Sequence, residues 1–385
     1  MSLSRLWKKN KAEVIALITG RMPQYIYGRR QFTDVPVFCF HSAYYPQFEK
    51  QLAFLSNHGF RTLDADQLLE RVLDKHYRND GKEIALTFDD GLASVWTIAY
   101  PLLERYQQKI ISFILPGMIP EESFQTKTIG DDVTEEEKNA LINRDFSDQP
   151  LCSWDEIQKM HSSGLVDFQS HGLHHRLVAT SNQIVDFIHP DFDLHNYGNV
   201  HVPSYIQGQG FSREPVLGHP VYQHAPLLSQ SSACLDNSDV RNACAKFVTE
   251  HGGPAFFKTQ GWRKQLLAVV DQHTNSSNNR DQIDLAVDIS AEFVQSKSMI
   301  ETRLNKSVKH FCFPWFSCNE ANVIAAKKAG YESVYLAATP GFTISDKAAL
   351  PTLITRLQEE FLMALPGYRS LFAAISYKLT RKANW

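Results

Sequence analysis

From residue 36 onward, short apolar runs with the length of buried strands alternate with longer segments whose apolar residues recur at helical spacing. That rhythm restricts the chain to parallel α/β architecture, because parallel strands need a crossover element between them. Val37–Phe40 reads as a strand, Gln47–Asn57 as a helix with Phe48, Leu52 and Leu55 on one face, and Glu83–Phe88 as a second, buried strand. A helix is expected over Ser94–Gln107 and a strand over Ile110–Leu115, and the polar, Gly/Pro-punctuated stretch 116–150 reads mainly as a long surface loop. Ser153 is an N-cap for the next helix, which Gly164 ends before a strand over Leu165–Gln169. Residues 176–306 break the rhythm. They are rich in His, Pro, Asn and Gly at first and helical from about Val240 to Leu304, the pattern of an insertion. The alternation returns with a strand over Lys309–Phe313, a helix over Asn319–Ala329, a strand over Tyr331–Tyr335 and an apolar run near Leu353. No repeat of solenoid period is present. A chain of 385 residues suits one α/β barrel with insertions. Its divisions are 1–35, 36–175, 176–306, 307–360 and 361–385.

Composition narrows the partners. A net charge of −3 supplies no basic field for a polyanion, so nucleic acid is not an expected partner. The cysteines Cys39, Cys152, Cys234, Cys244, Cys312 and Cys318 are scattered without a CxxC pair, which suits a reducing compartment such as the cytoplasm. The apolar stretch Val14–Ile18 is too short, and lacks the cleavage site, for a secretory signal, and no run reaches the roughly 18 apolar residues of a spanning helix. Residues 1–35 are basic and amphipathic, and an amphipathic helix is expected over 361–385; either packing on the barrel or peripheral contact with the inner face of the cytoplasmic membrane fits that pattern.

Three constellations carry chemistry. In Glu83–Gly91 an apolar strand runs into Asp89, Asp90 and Gly91, and the C-terminal ends of parallel barrel strands form the active-site face. Adjacent acids repel, so distinct roles suit them: one carboxylate can bind a metal while the other accepts a proton; a helix-capping turn is the plain alternative. His171, His174 and His175 follow another strand end, and imidazoles with a carboxylate are a common catalytic zinc set. His171 and His175 are the natural pair, since i,i+4 spacing would place both on one side of a helical turn. Phe311–Phe316 ends a third strand in Pro314 and Trp315, an aromatic wall for a sugar ring or simply core.

Thr87–Gly91, the His171/His175 pair and Phe313–Pro314–Trp315 resemble, in order and context, the first three motifs of the polysaccharide deacetylase (NodB-homology, carbohydrate esterase family 4) proteins. His41 in Phe40–His41–Ser42 is similar to the Tyr-His start of bacterial members. The resemblance implies a distorted (β/α) barrel, Asp89 as general base, and Asp90, His171 and His175 as ligands of a divalent metal, with Zn2+ the expected ion. It also implies removal of an N-acetyl (N-acyl) group from an amino sugar of a surface polysaccharide, lipopolysaccharide or lipid-linked precursor. A binding barrel without catalysis, a deformylase or an O-acetyl esterase would keep the same metal site. The chain departs from the pattern in two places. Cys312 stands where many members carry the arginine that partners the base, and no late Asp-x-x-Asp-Trp or Leu-x-His motif supplies the acid. Arg356 is a candidate for binding a substrate anion, with Pro314 and Trp315 lining the sugar. The insertion's His189, His195, His201, His219 and His224 are the remaining candidates for the acid.

Overall fold

A computed structural model describes residues 24–27, 34–192, 205–206, 210–211, 216–234, 237–274, 282–337 and 350–367. Most of the two terminal segments, together with His195 and His201, lies outside the described residues. The chain divides into two compact units: Met1–Leu173 with Phe293–Phe316 and Val323–Trp385, and His174–Glu292 with Ser317–Asn322.

The first unit is a barrel. Its strands are β1 (Val37–Phe40), β2 (Arg61–Thr62), β3 (Glu83–Phe88), β4 (Ile110–Ile114), β5 (Val166–Ser170), β6 (His310–Cys312), β7 (Ser333–Ala337) and β8 (Thr352–Gln358). All pairings are parallel, in the order β1-β8-β7-β6-β5-β4-β3-β2, and β1 also pairs with β3, which closes the ring. β1 and β2 share one edge of β3: Arg61 and Thr62 sit opposite Glu83 and Ile84, and Val37–Phe40 opposite Ala85–Phe88. Two strands on one edge open the ring at its base, which is the distortion. Side chains alternate across each strand. Val37, Ala85, Ile111, Phe113, Cys312, Tyr335 and Ile354 meet in one buried cluster, while Phe40 and Phe88 stack with ring centroids 4.9 Å apart and meet Phe48 of the helix Gln47–Asn57. The base of the ring is closed by charge. Asp66 pairs with Lys309 at 3.0 Å and with His310 at 3.2 Å, and Asp167 pairs with Lys306 and accepts the Ala65 N–H.

The expected helix over Ser94–Gln107 is a π turn over Val95–Ala99 that runs into an α-helix over Tyr100–Tyr106, with Gln107 left-handed as its cap. The strand expected at Tyr331–Tyr335 is Ser333–Ala337. The stretch 116–150 contains a helix, Glu135–Ile142, begun by a capping box in which Thr134 and Glu137 satisfy each other's backbone N–H. Behind it Arg144 is buried against Glu156 at 2.8 Å and also donates to Thr126 Oγ1 and the Leu151 carbonyl. Glu156 is fully buried, and in turn it closes the capping box of the helix Trp154–Ser162. Arg144→Met would leave that carboxylate without its counter-charge. Urea unfolding should show a loss of about 3–5 kcal/mol, the cost of removing one partner of a buried pair.

The second unit holds an antiparallel pair, Leu177–Phe187 with Pro220–Pro226, and a smaller one, Ser232–Cys234 with Gln282–Asp284. Phe187 packs with Val240, Cys244 and Val248 of the helix Ser238–Glu250 and Leu266 and Val269 of the helix Trp262–His273. Gly218, at φ +91°, allows that helix to approach: an added Cβ would lie 2.7 Å from Val248 Cγ2 and 2.8 Å from the Cys244 carbonyl oxygen. The first of these strands was not legible in the sequence, because Thr180–Gln183 interrupts its alternation and the register shifts at Ala179 and Ile184. A helix over Ala286–Leu304 contributes residues to both units.

Candidate metal centre

Asp89 and Asp90 leave β3 in different directions because the backbone turns between them. The Asp89 N–H still extends the ladder to the Phe40 carbonyl at 3.0 Å. Asp90 is then left-handed at φ +71°, as is Gly91 at φ +72°. A Cβ at Gly91 would meet Ile114 Cγ2 at 3.0 Å, so the turn is reserved for glycine twice over.

Asp89 points into the barrel. Arg356, on β8, grips it with both ends of its guanidinium, Nη1 to Oδ1 at 2.6 Å and Nη2 to Oδ2 at 2.8 Å. Nη1 also donates to Thr87 Oγ1 at 3.1 Å, and Phe316 covers the guanidinium with its ring centroid 4.9 Å away. The Arg356 side chain is 0% exposed. It therefore faces Asp89, not a solvent-borne anion. The thiols of Cys39 and Cys312 flank the same carboxylate at 3.6 and 3.7 Å. Burial pushes the Asp89 carboxyl up, but Arg356, His171 and His41 outweigh it and hold the group at about 2. Asp89 is a carboxylate throughout the working pH range.

His171 continues β5, its N–H bonded to the Ile114 carbonyl at 2.9 Å. Its Nδ1 lies 2.9 Å from the Cys312 carbonyl oxygen, which can only accept, so Nδ1 carries a proton, and in the neutral form of the ring that a metal binds Nε2 presents the lone pair. That lone pair faces Asp90 Oδ1 at 3.3 Å. A neutral imidazole lone pair and a carboxylate oxygen repel at this separation unless a cation or proton lies between them. His175 follows in the same loop, which is not helical. Gly172 at φ +89° and His175 at φ +56° bend it instead, and the ligand atoms of Asp90, His171 and His175 all come within 4.8 Å of one another. One carboxylate and two imidazoles at this spacing form a triad that could hold a divalent metal.

A second set, Asp89, His171 and Cys312, is equally close. It is a poor cation site: Arg356 occupies both Asp89 oxygens, and burial pushes the Cys312 thiol well up, away from the thiolate that metals need.

Pro314 is buried, whereas Trp315 is 39% exposed. Trp315 and Phe316 are left-handed at φ +59° and +52°. Like Asp90, they are non-glycine residues in left-handed backbone just past the ends of barrel strands, each such residue costing about 1–3 kcal/mol and held only by its surroundings. His41, exposed at the end of β1, lies edge-on to Phe316 with centroids 6.4 Å apart.

Residues 76–188 match the family described as polysaccharide deacetylase. The chain carries a polysaccharide deacetylase domain of the NodB-homology type. It is similar to the poly-β-1,6-N-acetyl-D-glucosamine N-deacetylases of Staphylococcus aureus strains MSSA476 and N315. Identity to each is 26% over 129 residues, 32% of this chain and 35% of the relative. The chain thus spans about a third of the length of the curated relatives it matches. Among solved structures, a de-N-acetylase from Aggregatibacter actinomycetemcomitans aligns over 89% of this chain and 98% of its own, with a TM-score of 0.47 and 14% identity. IcaB from Ammonifex degensii aligns over 89% and 98%, with a TM-score of 0.43 and 14% identity.

Three features of the domain escaped the sequence. The Asp89–Arg356 pair joins residues 267 positions apart, the thiols of Cys39 and Cys312 face the same acid, and the His171 tautomer depends on a carbonyl from β6. One signal was present: Ile354 and Arg356 share a strand face, and Ile354 is an apolar residue of the buried cluster.

Proposed function

We propose that this chain is a metal-dependent hydrolase that removes the N-acetyl group from an amino sugar of a bacterial surface polysaccharide, lipopolysaccharide or lipid-linked precursor. The observation that carries the reading is the Asp90–His171–His175 triad beside a carboxylate held ionised by Arg356. The N-acetylated glucosamine polymer in the names of the staphylococcal relatives supports a hexosamine substrate.

Asp90, His171 and His175 would hold a divalent cation, zinc by their donor set, which would supply Lewis acidity for the amide carbonyl and for water. Asp89 would take the proton of the attacking water, and Arg356 holds its carboxylate in place and ionised until that transfer. The amine leaves only when protonated. We assign that donation to His41, which stands exposed at the end of β1, edge-on to the Phe316 ring that covers Arg356. Trp315 offers a ring face for the apolar side of the sugar, with Pro314 fixed beneath the turn.

Acetate release from an N-acetylglucosamine oligomer is the test. Stripping the protein with a chelator should abolish release, and adding Zn2+ should restore it. Release that survives stripping, at an unchanged rate, would sink the reading.

A further inference from the structure

The helix Ala286–Leu304 lies some 120 residues beyond the histidine loop in sequence, yet two of its residues, one turn apart, hold that loop from within the fold. Ser296 is fully buried. Its hydroxyl lies 2.6 Å from Ser170 Oγ and donates to the Gly172 carbonyl at 3.0 Å, and Ser170 Oγ accepts the Gly172 N–H at 3.3 Å. These contacts lie in the barrel unit and bracket His171. Glu292, also buried, accepts the His174 N–H on Oε2 at 3.2 Å and meets the His174 ring at Nδ1 from Oε1 at 3.4 Å. Arg176 approaches Glu292 Oε1 at 3.5 Å, and its Nη2 lies 3.5 Å from His174 Nε2. These contacts lie in the second unit and immediately precede His175.

His174 is thereby tied on both ring nitrogens, to a carboxylate on one side and a guanidinium on the other. Its ring is engaged in the protein and is spent on structure. The loop it belongs to needs such ties. Gly172 at φ +89° and His175 at φ +56° are conformations that a free peptide leaves readily, and His175 carries a β-carbon that makes the left-handed state costly. Fixing the His174 N–H and the Gly172 carbonyl restrains the loop between His171 and His175.

We infer that Glu292 and Ser296 are positioning residues for the metal ligands. They hold the 170–175 loop in the strained form that presents His171 and His175 together, without touching the metal. The inference rests on the triad proposed above as the metal site. Groups that orient metal ligands commonly account for about 10- to 100-fold in affinity.

The experiment is Zn2+ affinity by competition with a chromogenic chelator, together with the visible spectrum of the Co2+-loaded protein, on the full chain. Asp90→Ala serves as the control for the triad. Wild-type protein that binds no Zn2+, or an Asp90→Ala variant that binds as tightly, overturns the triad itself. If the control loses Zn2+, Ser296→Ala and Glu292→Gln are each expected to bind Zn2+ about 10- to 100-fold more weakly, with altered Co2+ bands. Ser296→Ala removes no charge, so its loss cannot be an electrostatic effect at a distance. Wild-type affinity and an unchanged Co2+ spectrum in Ser296→Ala would overturn the inference, whether or not Glu292→Gln folds.

Discussion

Acetate release by Asp89→Asn is expected to fall by about 10²- to 10⁴-fold, the range associated with loss of a general base, while Zn2+ content stays at the wild-type level. The two outcomes together separate roles that adjacent acids could share. Asn keeps the size of the side chain and can still accept from Arg356, but it cannot take a proton from water. The proposed ligands Asp90, His171 and His175 are left intact. The substitution also leaves a fully buried guanidinium without its counter-charge, so the melting temperature should drop, and the assay belongs below the variant's own transition. Retention of most of the activity would move the proton transfer elsewhere. Loss of metal along with activity would make Asp89 a ligand.

Arg356→Met should lower kcat by on the order of 10²-fold, the penalty for a catalytic group displaced by about an ångström, and should also move the acid limb of the rate profile upward. In the wild type, burial raises the Asp89 pKa and the neighbouring positive charges more than offset it, leaving about 2. Its folded pKa is thus depressed. The stability it contributes is present above the unfolded value of roughly 3.9 and is lost as pH falls toward 2. Without Arg356 the sign reverses. Burial dominates, the folded pKa rises above the unfolded one, and stability is lost as pH rises through it. Rate and unfolding measured against pH in the same variant test both statements. A substrate-binding role for Arg356 would instead raise KM and leave the acid limb in place.

How much of this was written locally can be judged from particular residues. Strands ending in Asp89-Asp90 and in His171 were readable because an apolar run followed by polar residues and glycine is a local pattern, and the closed parallel sheet follows from their alternation with helices. The caps at Ser153 and Thr134 were likewise spelled out within four residues, although the second was passed over inside an apparent loop. The pairing of His171 with His175 was anticipated for the wrong reason: helical spacing suggested it, and a bent loop with two left-handed residues delivers it.

The sequence by itself determined which residue types stand at the strand ends, the parallel class of the sheet, and the identity of the acids and imidazoles. These depend on interactions within a few positions along the chain. Only the tertiary structure decided that Arg356 serves Asp89, that the Cys312 carbonyl selects the His171 tautomer, and that Glu292 and Ser296 brace the loop. Each of those contacts joins residues more than a hundred positions apart. It exists because ring closure sets the register of β8 against β7 and β1 and packs a distant helix beside the loop, and no local propensity encodes that register.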